Sequence, residues 1–206
     1  MNNKEIDKKL GSWQDRQDKT ILLAKELVLF FRANNFKVFE PINLNESIKN
    51  KKVLETIEKE NYIAVEYRAK TNKSIIDKLS RYNESLDEIL DLFGLRIVVN
   101  NTKYLDRVSN IIIKSLWDIP SKEEMIIRNG TMFFAPIRDY RKRDWQGVGP
   151  ATSGGYNDAV HINKKSKYGI VEIQIMTLDL FKKYFDPKSS ENHDKFKSKQ
   201  MKIYKN

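Results

Sequence analysis

The chain has 206 residues and a formal net charge of +10, a length that suits one domain with a sizeable core. At 40% hydrophobic and 32% charged residues it is too apolar for a disordered chain, and its basic balance points to an anionic partner such as a nucleotide or nucleic acid. The runs ILLA and LVLFF are broken by Lys25 and Glu26, far short of the ~20 apolar residues of a membrane span; the start MNNKEIDKK lacks the apolar stretch of a signal peptide. The expected compartment is the cytoplasm, with no membrane partner.

In chain order, DKTILLAKELVLFFRANNF places Ile21, Ala24, Leu27, Val28 and Phe31 on one helix face, and Asn34-Asn35 ends that helix. A second helix is expected from Asn45 to Glu60, with Ile48, Leu54 and Ile57 inward. YIAVEYRAK alternates as a strand, Ile63, Val65 and Tyr67 on one face and Arg68 and Lys70 on the other. TNKSIIDKLS reads as a short helix that Thr71 or Asn72 can cap. DLFGLRIVV is a buried strand, followed by a helix over Thr102 to Leu116 with Leu105, Val108, Ile112 and Leu116 inward. Strands are expected near 125–128, 131–137, 156–163 and 170–176, and helices over Phe181–Tyr184 and Glu191–Tyr204. This order predicts an α/β (α+β) domain, a mixed β-sheet flanked by helices. Residues 1–60 would supply N-terminal helices, 61–180 the sheet and 181–206 a basic helix. From Lys182 onward there are 8 lysines against 3 acidic residues, either a solvated face or one that meets RNA.

With no cysteine and only His161 and His193, thiolate and histidine-built metal centres are excluded. Any metal would be a hard cation on carboxylate oxygen, Mg²⁺ or Mn²⁺. Arg68, Lys70, Ser74 and Lys78 cluster around a helix N-terminus. Orphan N–H groups and the helix dipole add to side-chain charge there, making an anion cradle; the alternative is an ordinary solvated basic helix. It is no Walker A loop, because G-x-x-x-x-G-K is absent. Asp91 opens one strand and Glu172 interrupts another. Carboxylate and phosphate charges ~4 Å apart repel by about 4 kcal/mol at an effective dielectric of ~20, and a divalent cation between them reverses the sign. In SGGYNDAVHIN the glycine pair Gly154-Gly155 puts Tyr156 on an open lip, the alternative being a buried strand-end tyrosine.

The series RAKTNKSIIDKL, DLFGLRIVV, RDY, GGYNDAVH, VEIQIMT and ENHDKFK resembles, in order and spacing, the nucleotidyltransferase-like synthetase domain of the RelA/SpoT family, over roughly residues 60–200. The resemblance implies a pyrophosphokinase that moves the β,γ-pyrophosphate of ATP onto a ribose 3′-hydroxyl and releases AMP. Arg68 would stack on adenine, while Lys70, Ser74 and Lys78 hold the phosphates. Asp91 would ligate Mg²⁺. Glu172 would ligate the metal or accept the ribose proton, with Gln174 beside it, and Tyr156 would stack on the acceptor base. His161 is as open to a structural role as to a substrate contact, and His193 reads as structural.

The family's acceptor loop carries Asn-Gly-Tyr where this chain has Gly154-Gly155-Tyr156, and its EIQIRT arginine is Met176 here. These departures weaken GDP or GTP as acceptor and leave the ATP side intact. The chain resembles the stand-alone small alarmone synthetases, among them a toxic group that pyrophosphorylates the 3′ CCA end of tRNA and blocks aminoacylation. The basic surface, Arg141, Lys142 and Arg143 included, suits that acceptor, and a toxin of this kind implies a cognate antitoxin. Synthesis of (p)ppGpp from GDP or GTP is the alternative, and a non-catalytic RNA-binding module a remote one.

Overall fold

A computed structural model describes residues 2–43, 51–82, 91–121, 136–141 and 159–186, together with Leu86, Ile89, Lys188 and Ser189. The sequence expectations over 44–50, near 125–128, across most of 131–137 and over 191–204 lie outside these residues. So do Lys142, Arg143, Tyr156 and His193.

The described helices are α1 (Asn3–Leu10), α2 (Trp13–Ala33), α3 (Lys51–Glu60), α4 (Asn72–Tyr82), α5 (Thr102–Ser115) and α6 (Leu178–Phe185). The strands are β1 (Ile42–Asn43), β2 (Ala64–Ala69), β3 (Phe93–Val99), β4 (Ile137–Asp139), β5 (Ala159–Ser166) and β6 (Gly169–Thr177). They form one sheet in the order β1-β2-β3-β6-β5-β4. The β1–β2 and β3–β6 pairs are parallel and the others antiparallel, so the fold is α+β with a mixed sheet.

Alternation along each strand divides the sheet into two unlike faces. Val65, Leu95, Ile97, Ile173, Ile175, Val160 and Ile162 point to one side, where α2 and α5 cover them. On α2 the buried stripe is Thr20, Leu23, Ala24, Leu27, Val28 and Phe31; the predicted Ile21 lies at its margin, half-buried. Each fully buried Leu, Ile or Phe in this layer contributes about 1.5–3 kcal/mol. Ser12 caps the start of α2, accepting from the Asp15 N–H at 3.1 Å, and Asn35 at φ +60 follows its end, where the Asn-Asn pair predicted a stop. Asn101 caps α5 through the Tyr104 N–H at 3.0 Å. Lys164, 1% exposed within this layer, donates to the Ile113 and Trp117 carbonyls at 3.0 Å each and so closes the far end of α5.

The second face is apolar only at one end. There Ala64, Val98, Ala159 and Met176 pack under Ile57 of α3 and Leu178, Leu180 and Phe181 of α6. Met176 shares a strand face with Glu172 and Gln174 but is fully buried beneath these helices. A methionine at that position packs where a charge would be stranded. The rest of this face is polar.

Candidate active site

The polar face is built in two rows by strand register. One runs Arg68, Gly94, Glu172, Asn163, and the next Glu66, Arg96, Gln174, His161, Arg138. Nine side-chain positions from five strands thus converge because each is a polar residue, or a glycine, at the out-of-core phase of its strand. Gly94 leaves the space between Arg68 and Glu172 unfilled: a Cβ there would meet the Arg68 carbonyl oxygen at 3.3 Å.

A pocket opens above these rows, with Arg68, Lys70 and Asp91 on one wall and Glu172 and Gln174 on the other. Lys70 follows the last residue of β2, and its N–H donates to the Leu92 carbonyl at 3.0 Å. At the start of α4, Thr71 rather than Asn72 acts as the cap, its hydroxyl accepting from the Ser74 N–H at 3.2 Å. Ser74 is exposed in the first turn and Lys78, one turn on, is buried. Both lysines converge on Asp91: Lys70 Nζ lies 2.9 Å from Oδ2, and Lys78 Nζ donates to Oδ1 at 2.6 Å. Burial would raise the Asp91 carboxyl, but Lys70 and Lys78 outweigh it and hold the group down at about 2. Lys70 and Lys78 are thus brought together around a carboxylate of the chain itself, while Ser74 and Lys78 are not among the residues that line the pocket.

Glu172 is 19% exposed at its side chain. Arg138 donates to Oε1 at 2.7 Å and Gln174 to Oε2 at 3.0 Å, and His161 Nδ1 approaches Oε1 at 3.4 Å. Burial opposes ionisation, yet His161, Arg138 and Gln174 together keep the carboxyl well below its ordinary range. Burial pushes His161 the other way, below its usual value. Its ring meets Tyr140 edge-on at 4.8 Å.

Among the described residues no group of three or more His, Asp or Glu side chains could hold a metal. Two carboxylates on opposite walls nevertheless suit a hard cation that takes its remaining ligands from substrate phosphates. The Glu172 charge also pushes against Asp91 across the pocket, a repulsion that a divalent cation relieves. The donor set fits Mg²⁺.

Arg141 stands apart from this pocket. It donates to both oxygens of Asp139 at 2.8 and 2.7 Å and lies 2.7 Å from Asp106 on α5. An approaching phosphate would have to displace two carboxylates.

Sequence reasoning passed over Glu66, Arg96 and Arg138, although each is a charge at the phase of its strand that points away from the core. Arg96 is 3.3 Å from Glu66 and stacks over the Tyr184 and Phe185 rings at 5.0 and 5.3 Å, tying α6 to the pocket floor. Glu66 is 1% exposed. Burial raises its carboxyl from 4.5 to about 7 against the opposing pull of Arg96. A folded-state value above the unfolded one means that the native state binds the extra proton. Stability from this group is then full below pH 4.5 and declines as pH rises through 7. Glu66→Gln keeps an acceptor for Arg96 and removes the titration. Across pH 4.5–7 the variant should gain roughly 1–3 kcal/mol on the parent, read as diverging melting temperatures. Parallel curves would show that Glu66 does not titrate in this window.

Residues 67–201 match the family model described as a region found in RelA / SpoT proteins. The chain belongs to the RelA/SpoT family, and it is a pyrophosphokinase of that family's synthetase fold. Among solved structures it is similar to the small alarmone synthetase 1 from Bacillus subtilis bound to its product pppGpp, at 16% identity over 98% of this chain and 94% of that one, with a TM-score of 0.46. It is also similar to a GTP pyrophosphokinase family protein from Streptococcus pneumoniae, at 19% identity over 94% of this chain and 86% of that one, TM-score 0.45. No curated protein matches its sequence. Membership of the family rests on the sequence match.

Proposed function

We propose that this pocket transfers the β,γ-pyrophosphate of ATP to a ribose 3′-hydroxyl at the 3′ CCA end of tRNA, blocking aminoacylation. The observation that carries the transfer chemistry is one pocket with Arg68 and Lys70 at its β2 side and an ionised carboxylate, Glu172, on β6. In this reading Arg68 stacks on the adenine, and Lys70, Ser74 and Lys78 take the phosphates, which replace Asp91 as the partner of the two lysines. Asp91 and Glu172 would hold Mg²⁺, which when bound draws charge off the transferring group. The ribose oxygen attacks the β-phosphorus, the bond to the α,β-bridging oxygen breaks and AMP leaves. Glu172 is ionised throughout the neutral range, so it can orient the hydroxyl and accept its proton; Gln174 and Arg138 fix its rotamer. Tyr156 stacks on the acceptor base, with His161 behind Glu172.

Support for tRNA comes from the net charge of +10 and from the altered acceptor loop. Backbone contacts fall to Lys142, Arg143 and the tail lysines 195, 197 and 199, since Arg141 is already held by Asp139 and Asp106. Such an enzyme would act in the cytoplasm beside a cognate antitoxin. The rival acceptor is GDP or GTP, giving (p)ppGpp.

Radiolabelled ATP offered separately with tRNA, GDP and GTP tests the choice. Label should enter tRNA with a steep salt dependence. Replacing each phosphate-binding lysine or arginine by serine should shallow the log–log slope by about 0.9 on duplex or ~0.7 on single strand. Efficient labelling of GDP or GTP with flat salt dependence would overturn the tRNA assignment and leave the pyrophosphokinase intact.

A further inference from the structure

The turn that joins β2 to α4 carries Lys70 and sets the direction of the helix bearing Ser74 and Lys78. Two consecutive residues of α2 grip it. Gln17 Oε1 accepts the N–H of Ala69 at 3.2 Å, on one side of Lys70. Arg16 reaches the other side, where its guanidinium donates to Asn72 Oδ1. Asn72 in turn donates to Asp7 of α1 at 3.0 Å.

Arg16 is wholly buried, an expensive place for a cation unless its hydrogen bonds are made. A second bond goes to the Gly11 carbonyl, in the turn between α1 and α2, and Asp7 lies 4.0 Å away. Gly11 has φ +79, and a Cβ there would meet Asp15 Oδ2 at 2.5 Å, so the turn that presents this carbonyl needs glycine. Ile6 of α1 packs against Ile75 and Leu79 of α4, which fixes α1 to the same helix. None of these groups lines the pocket, yet together they fix both ends of the segment 69–72.

We propose that Gln17 and Arg16 are positioning residues for the donor nucleotide, holding Lys70 and the N-terminus of α4 where the ATP phosphates bind. The proposal rests on the donor-site reading above. The α1–α2 bracket thereby takes part in substrate binding. Its contribution falls on the donor side, because its bonds run to the end of β2 and the start of α4.

Arg16 substitutions empty a fully buried position and leave Asn72 and the Gly11 carbonyl without their donor, which puts folding at risk, so the test uses Gln17. Gln17→Met keeps the length and loses the acceptor for the Ala69 N–H, whereas Gln17→Glu keeps an acceptor. The readouts are KM for ATP, KM for the acceptor, kcat, the affinity for a non-hydrolysable ATP analogue and the melting temperature. Gln17→Met should weaken analogue binding and raise KM for ATP about five-fold, the effect of one hydrogen bond. Acceptor KM and kcat at saturating ATP should stay near the parent values, the melting temperature should fall by only a few degrees as the Ala69 N–H loses its acceptor, and Gln17→Glu should restore most of the loss. Lys78→Ala serves as the control for the donor site itself. If Lys78→Ala weakens analogue binding and Gln17→Met does not, the positioning role is overturned and the donor site stands. Equal loss toward ATP and acceptor, together with a lowered melting temperature, would reduce Gln17 to a structural residue. An unchanged affinity in Lys78→Ala would remove the donor site, and this proposal with it.

Discussion

Glu172→Gln should lose 10²-fold or more in pyrophosphate transfer while binding of a non-hydrolysable ATP analogue survives. A positioned general base contributes 10²–10⁴-fold, and the amide cannot take the ribose proton. The substitution also disturbs the local pattern of donors. In the parent, both carboxylate oxygens accept, from Arg138 at 2.7 Å and from Gln174 at 3.0 Å; in the variant one of these donors faces an NH₂ group. Some stability will be lost with the Arg138 charge partner, so turnover has to be measured well below the variant's melting temperature. Turnover within ten-fold of the parent would take Glu172 out of the proton path.

Asp91→Asn should separate binding from chemistry in opposite directions. Its carboxylate now occupies the two lysines that the ATP phosphates would use, at 2.9 and 2.6 Å. Neutralising it frees both cations, so in EDTA the variant should bind the analogue several-fold more tightly than the parent. Transfer in Mg²⁺ should fall by roughly 10²-fold, as a hard-cation ligand is lost, and added Mn²⁺ should recover part of it. The melting temperature should drop, because two largely buried lysines lose their counter-charge. Weaker analogue binding in EDTA would mean that Asp91 orients the lysines instead of competing for them.

What the sequence discloses of this fold follows from how local each signal is. The stripe on α2, the cap at Thr71 and the phases of β2, β3 and β6 depend on neighbours a few residues away, and they are legible. So is the closeness of Lys70 and Lys78, which lie within one strand-turn-helix unit. The ion pairs are not, because Asp91 meets its lysines only after β3 pairs with β2. Glu66 and Arg96 cancel one another across that same register, and Arg138 reaches Glu172 from the sheet edge. Arg141 shows the reverse error, since a run of basic residues implies an open surface until Asp139 and Asp106 are seen to close on one of them. The bracket formed by Arg16 and Gln17 was hidden for a further reason: a helix face that reads as polar gave no sign that part of it is buried.

The central seam of the sheet, β3 beside β6, joins a segment that ends at Val99 to one that begins at Gly169. Every chemical role proposed for the donor side precedes that seam in the chain, and Glu172 lies on its late member. With Glu172 in its proposed role, the enzyme stays inert during synthesis until the strand through Thr177 has left the ribosome, however well the earlier part has folded. A chain cut off before β6 would keep the cations proposed to bind nucleotide but lack Glu172. It would also expose the apolar edge of β3, an invitation to self-association. For a protein proposed to act on tRNA, this arrangement ties the onset of its activity to the synthesis of β6.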